Sequence, residues 1–532
     1  MKILMIVPKY RLTNYKDYGY FFPLGLAYIS AVIKRAGYEL DCLNLNHFEG
    51  KIKDIIKSQL ENKSYDIVCT GYLAIGYAIM EKIINAVKNN LPDAKIILGG
   101  AIITTEPELM LDSLNVDYGV MGEGEATIIE LLDCIKNNND LSNVDGICYK
   151  DKEKNFILTN QRKPIGDLDS LPIPDLDGLG FKEYLDNQTC QFGNSSFGLY
   201  DYPRQYQILC SRGCPNHCTF CYHILKKYRV RSLDSIFDEI ESAIKKYNIN
   251  FIFLEDDLFS INKERLFDFC KRMKALNERI SPKVGWFCSL TVRNIDDSLL
   301  SILKDAGCQV IGYGFESYSQ KVLNSMKKPI TPEEINNAFH KTMNVGIAIQ
   351  GNFIFGDTAE TKETVRETID WWKKNTSGQI SLEYIQPYPG SEIYNRCIKK
   401  GIIKDKLDFI KNKLPFINWF NMTDKEIKEL KDELLGMKKY YAYAVPLKIK
   451  KTKRNIYELK VECPSCKKII EYKNTFIDNR FRFTIIAYCR KCFFRFFIFS
   501  WLKRIQINNY EKLEIINRNY VKIRDKILKS NL

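Results

Sequence analysis

The chain has 532 residues, 45% hydrophobic and 27% charged, a globular composition that excludes a disordered or fibrous protein. No apolar run reaches about 18 residues, so no membrane-spanning helix is expected, and Met1 opens straight into the apolar Lys2-Ile-Leu-Met-Ile-Val-Pro8 without the basic region and apolar core of a signal peptide. The net charge of +14 is uneven: Pro446–Leu532 carries 22 Lys+Arg against 7 Asp+Glu, which leaves the first 445 residues near −1 and points to an acidic partner, an anionic surface or solvated lysine faces for that tail.

Residues 1–143 alternate strand and helix patterns. Strands are predicted at Lys2–Val7, Glu39–Leu45, Ile67–Gly71, Lys95–Leu98 and Asp117–Val120, with helices at Leu24–Ala36, Ala74–Asn90 and Ala126–Lys136. Such alternation argues for a doubly wound, Rossmann-like α/β sheet. No G-x-G-x-x-G follows the first strand, so a dinucleotide site is a poor reading. Residues 144–200 form a connector: a strand-like stretch, Val144–Thr159, and the Pro/Asp-rich Lys163–Asp177. Residues 201–400 alternate again, with strands at Gln207–Cys210, Phe251–Leu254, Gly285–Ser289, Val310–Phe315, Ala348–Phe355 and Ile380–Ile385, and helices such as Ser232–Tyr247, Lys263–Asn277 and Thr361–Lys374. Six β/α units suit a partial barrel, whose reactive residues belong at the carboxyl ends of its strands. Residues 401–445 look helical and polar. Residues 446–532 hold a basic stretch, two paired-cysteine knuckles and a predicted basic helix, Glu511–Lys529.

Seventeen cysteines without a secretion signal fit a reducing, cytoplasmic compartment and metal binding. Cys214, Cys218 and Cys221 stand as C-x3-C-x2-C within eight residues, with Phe220 before the last. Three thiolates so crowded can hold an iron–sulfur cube and leave its fourth iron open to another ligand. A zinc site would need a fourth ligand; the spacing does not favour His217 or His223, and Cys210 is a possible stand-in.

This loop resembles that of the radical SAM superfamily, whose open iron chelates S-adenosylmethionine (SAM). The resemblance extends through Leu254-Glu-Asp-Asp-Leu-Phe259, where Asp256 and Asp257 would lie near the SAM amino group, although Asp257 or Ser260 also reads as a helix cap. It continues through Trp286–Arg293, with Ser289 and Arg293, and through Gly312-Tyr-Gly-Phe-Glu-Ser317. There Gly314 would let the ligand approach and Glu316 would hold the ribose or methionine moiety. Gly351-Asn-Phe-Ile-Phe-Gly356 and Tyr388–Tyr394 complete the series. The chemistry implied is one-electron cleavage of SAM to a 5′-deoxyadenosyl radical, fed by an external reductant, with water excluded.

The amino-terminal segments Phe22–Tyr38, Asp66–Gly71, Ile97-Leu-Gly-Gly-Ala101 and Gly119-Val-Met-Gly-Glu-Gly-Glu125 resemble the cobalamin (B12)-binding members of that superfamily. Gly99, Gly100, Gly122 and Glu123 would border the corrin. The Asp-x-His-x-x-Gly motif that supplies an axial His to cobalt elsewhere is absent; His47 gives a partial echo and reads as a surface side chain. The implied activity is methylation of an unactivated carbon or phosphorus in a small-molecule substrate. A radical cyclisation or rearrangement without methyl transfer, or a binding and regulatory role, is the alternative.

Cys463, Cys466, Cys489 and Cys492 make C-x2-C-x22-C-x2-C across a hairpin-like Tyr472–Tyr488, and resemble a zinc ribbon. The rival reading is an auxiliary iron–sulfur cluster. Aromatics crowd the second knuckle from Phe493 to Trp501, interleaved with Arg490, Lys491, Arg495, Lys503 and Arg504. Such a face can stack nucleic-acid bases, lie on an anionic membrane, dock a substrate or form the ribbon's own core, and the core reading is favoured for most of the aromatics.

Overall fold

The computed structural model describes residues 1–10, 20–190, 198–222, 227–259, 261–477 and 484–499. The Glu511–Lys529 helix, Trp501, Lys503, Arg504, His223 and the Ser260 cap lie outside these residues.

Seven strands form the first sheet: β1 (Lys2–Val7), β2 (Glu39–Asn44), β3 (Ile67–Gly71), β4 (Lys95–Gly99), β5 (Tyr118–Val120), β6 (Ile147–Lys150) and β7 (Phe156–Leu158), in the order β2-β1-β3-β4-β5-β6-β7. The first five are parallel and the last two antiparallel. β1 and β3 read as continuous apolar runs because helices cover both faces. Three further helices, Ile52–Leu60, Ala101–Thr105 and Pro107–Leu114, were not predicted. The last two are short and split by Glu106, which blurs a 3.6-residue period.

β8 (Gln205–Ile208) begins the second unit. A two-residue ribbon follows, β9 (Ser211–Arg212) paired antiparallel with β10 (Arg229–Val230). Then come β11 (Phe251–Leu254), β12 (Gly285–Leu290), β13 (Cys308–Glu316), β14 (Ala348–Phe355) and β15 (Ser381–Tyr384). The six long strands form one parallel sheet, β15-β14-β13-β12-β11-β8. Side chains alternate across it: Ile252, Trp286, Cys288, Ile311 and Ile349 belong to the large helix-covered core, whereas Phe251, Phe287, Val310 and Ala348 pack together on the inner face. This is the expected partial (β/α)6 barrel. Segment 401–445 contributes Phe409, Ile410, Trp419 and Phe420 to the large core rather than forming a merely polar extension.

The tail holds β16 (Tyr443–Ala444), β17 (Pro446–Lys453), β18 (Ile456–Glu462), β19 (Ile469–Phe476), β20 (Thr484–Tyr488) and β21 (Arg495–Phe499), in two three-stranded sheets, β17-β18-β19 and β16-β21-β20. No helix among the described residues is long and apolar enough to cross a membrane.

Candidate active site

The cysteine loop leaves the carboxyl end of β8 and is closed at its neck by the β9–β10 ribbon, which sets Arg212 opposite Arg229. The Thr219 N–H donates to the Met326 carbonyl (3.0 Å), and the Ile393 N–H donates back to Thr219 (3.1 Å). The loop is thereby tied to two later barrel units. Cys214 and Cys218 are buried, Cys221 half-buried, and Phe220 packs against the main core. Burial pushes all three thiols up, Cys221 to about 12. A bound metal's positive charge would offset the cost of releasing those protons.

Beside them lies a pair of which only one member was anticipated. Lys328 donates to Glu316 Oε1 at 2.9 Å, with both side chains largely buried. Burial alone would lower the Lys328 ammonium, but the Glu316 carboxylate outweighs it and holds it charged. Gly314 leaves room for the pair: a Cβ there would stand 2.4 Å from Glu316 Oε1 and 2.5 Å from Lys328 Nζ, and those side-chain ends would have to shift. Glu316 itself is left-handed (φ 60°), at a register shift between β13 and β14.

At the end of β11 three acids divide their tasks. Asp256 Oδ1 accepts from the Cys210 and Ser211 N–H groups (2.7 and 3.1 Å), and Oδ2 from the Ser211 hydroxyl (2.7 Å), so its carboxylate holds the lead-in to the cysteine loop. Burial raises it to about 6 against those donors. Glu255, which the sequence reading passed over, accepts from Gln207 Nε2 (2.7 Å); burial raises it to about 7. Asp257 is exposed toward the same space as Glu255. Ser289 sits half-buried near the end of β12, Gly351 is buried against Phe315, and Arg293 is exposed beyond β12.

That space is a cavity of about 550 Å³ between the seven-stranded and six-stranded sheets. Its amino-terminal wall comes from the carboxyl ends of β1, β3, β4 and β5: Tyr10, Tyr72, Gly99, Gly100 and Gly122. Its other wall comes from Arg212, Gly213, Tyr222, Glu255 and Asp257. In a sheet of order 2-1-3-4-5 a ligand belongs beside β1 and β3, where the strand order reverses. Gly100 has φ +86° and a Cβ there would meet the Tyr72 carbonyl at 2.7 Å, while a Cβ at Gly122 would meet nothing. The edge is therefore flat and open, a fit for a planar corrin. No described histidine lines it. His47 is not a surface side chain: its Nδ1 meets Glu183 (3.2 Å), its Nε2 meets the Tyr20 hydroxyl (2.8 Å), and it lines a different groove.

Glu123 touches the cavity but is committed elsewhere. It accepts from Arg212 Nη1 (2.9 Å), Arg229 Nη1 (2.9 Å) and the Ile165 N–H (2.7 Å), and neighbouring Glu125 accepts from Arg212 Nη2 (2.6 Å). Burial alone would raise Glu123; the two guanidinium groups and the amide reverse this and hold it below the usual carboxylate range. These four side chains join the amino-terminal domain to the neck of the cysteine loop. No motif spacing signals them, because their pairing spans 87 to 106 residues.

In the tail, Cys463 Sγ lies 3.8 Å from Cys492 Sγ and Cys466 Sγ 3.6 Å from Cys489 Sγ, with all four sulfurs within 4.8 Å of one another.

Comparison with known proteins agrees with this architecture. The chain is 28% identical over 413 residues to a protein of Pyrococcus horikoshii described as an uncharacterized methyltransferase, covering 76% of this chain and 84% of that one. It is 26% identical over 424 residues to the anaerobic magnesium-protoporphyrin IX monomethyl ester cyclase of Rubrivivax gelatinosus, covering 77% and 73%. The fold matches the radical S-adenosylmethionine methyltransferase TsrM of Kitasatospora setae, solved with cobalamin and a [4Fe-4S] cluster, with a TM-score of 0.61 at 17% identity over 76% of this chain and 79% of that one. Residues 11–132 match the B12 binding domain family and residues 208–371 the radical SAM superfamily, so the chain joins a B12-binding domain to a radical SAM domain.

Proposed function

We propose that this protein is a cobalamin-dependent radical SAM methyltransferase acting on an unactivated carbon or phosphorus of a small molecule. The observation that carries this reading is the shared cavity: the glycine edge of the B12-binding domain and the neck of the cysteine loop face one space of about 550 Å³. Cys214, Cys218 and Cys221 would hold a [4Fe-4S] cluster, which would supply one-electron chemistry toward SAM, and the glycine edge would hold a corrin as methyl carrier. The chain's own residues confine and orient. Gly99, Gly100 and Gly122 would let a corrin lie against backbone, and among the described residues no histidine lines that space. Glu255 and Asp257 line the barrel side of that cavity; Ser289, Arg293, Gly351 and Phe220 would complete the SAM side, and Lys328 with Glu316 would balance charge beside the thiolates. An external one-electron reductant is required. The methyltransferase names of the relatives support this reading; the cyclase of Rubrivivax gelatinosus supports a second, radical ring closure without methyl transfer.

The tail quartet is read as a zinc site. Four sulfurs roughly 2.3 Å from one ion stand roughly 3.8 Å apart, which matches the observed 3.6 and 3.8 Å. Thiolates on separate corners of an iron–sulfur cube stand farther apart than thiolates sharing one ion.

Anaerobic reconstitution tests the whole. The expected protein binds four irons at the loop and one corrin, and cleaves SAM to 5′-deoxyadenosine. Product heavier than substrate by one methylene supports methyl transfer; product lighter by hydrogens supports cyclisation. Iron and corrin binding without SAM cleavage overturns both.

A further inference from the structure

The amino-terminal end of the barrel is covered by the tail together with Tyr200 of the connector, whose ring lies 5.9 Å from that of Phe251. Phe251, Val310 and Ala348 stand at or near the starts of β11, β13 and β14, and Phe287 near the start of β12. On this inner face they pack around Tyr488, which is 0% exposed. The Tyr488 carbonyl accepts from the Tyr472 hydroxyl (3.0 Å). Gln379, just before β15, is locked to the tail by two bonds: its Nε2 donates to the Arg495 carbonyl (2.7 Å) and its Oε1 accepts from the Arg495 N–H (2.8 Å). Arg495 also donates to the Gly378 carbonyl (2.6 Å). From the connector side, Cys190 donates its N–H to the Asn474 carbonyl (3.0 Å), and Arg490 donates to the Gly198 carbonyl and to Asp201 (both 2.7 Å). Tyr488 immediately precedes Cys489, and Arg490 follows it, so the side chains that close the barrel are placed by the knuckle itself.

We propose that the four-cysteine tail is the floor of the barrel: its metal-folded second knuckle drives Tyr488 into the lumen and seals the reaction chamber at the end opposite the cysteine loop. The proposal rests on reading the quartet as a single-ion site. It gives that metal a task in the radical domain, since a chamber that generates a primary radical must exclude water from both ends. Without the metal the tail has a small core and few means of staying folded.

The full chain is compared with Cys463→Ser/Cys466→Ser and with Tyr488→Ala, all reconstituted anaerobically. Zinc and iron content, alkylation of Cys190 by iodoacetamide and amide exchange at 251–253, 286–288 and 348–350 are measured. Cys190 is 2% exposed beneath the tail, so it reports undocking. Unsubstituted protein should hold one zinc and resist both probes. The double-cysteine variant should lose the zinc, keep the loop's iron, and show about tenfold faster Cys190 alkylation and strand-start exchange. Tyr488→Ala should keep the zinc and speed strand-start exchange. Loss of zinc with Cys190 and the strand starts still protected overturns the proposal, as does unchanged exchange in Tyr488→Ala. Unsubstituted protein holding an iron cluster at the quartet, with the floor protected, instead overturns the single-ion reading, and Tyr488→Ala alone then decides the floor.

Discussion

Glu255 carries a carboxyl that burial raises to about 7, at the mouth of the barrel. Its folded value lies above the ordinary 4.5, so the folded chain binds this proton more tightly than the unfolded one. Nothing is lost below pH 4.5, the cost grows between 4.5 and 7, and it levels above 7 at about 3 kcal/mol. Glu255→Gln keeps the acceptor for Gln207 and removes the charge. In cofactor-free protein it should raise the melting temperature at pH 8 and leave it unchanged at pH 4.5, and equal melting of both proteins at pH 8 would refute the assignment. Lys328 presents the opposite case. Lys328→Met strands the Glu316 carboxylate beside the thiols, and should cost about 3 kcal/mol and reduce iron loading. Glu316→Gln in the same background should restore part of both, measured by thermal melting and iron content.

At the scale of elements, the β9–β10 ribbon places two arginines opposite each other, and the Glu123 and Glu125 carboxylates of the other domain neutralise them. Glu123→Ala and Arg229→Ala should therefore not be additive: a double-mutant cycle on thermal unfolding should give a coupling of about 1–3 kcal/mol, and a value near zero would remove the pair as a link between domains. Legibility follows the same division. β1, β3, β11 and β14 have the predicted limits, because buried parallel strands are short apolar runs between turns. The three cysteines and the glycine-rich strand ends were legible as motifs because their residues stand close together in sequence. Glu255, Lys328 and the arginine clasp were not, because each acquires its role from a partner distant in sequence or from burial. Glu123 shows the converse: a residue at a legible position whose side chain tertiary pairing claims. The predicted strand at Gln207–Cys210 actually runs Gln205–Ile208, since Cys210 and Ser211 turn their amides to Asp256.

Across the whole molecule, the B12-binding domain and the radical SAM barrel wall one cavity, and the tail covers the barrel's far end as its proposed floor. The basic surplus of the tail also acquires a place. Lys448, Lys450, Lys451 and Lys453 are all exposed on β17, and β17 is the outermost strand of its sheet. The rim of amide and carbonyl groups on an edge strand invites a second chain to add on, and like charges along such a rim oppose that addition.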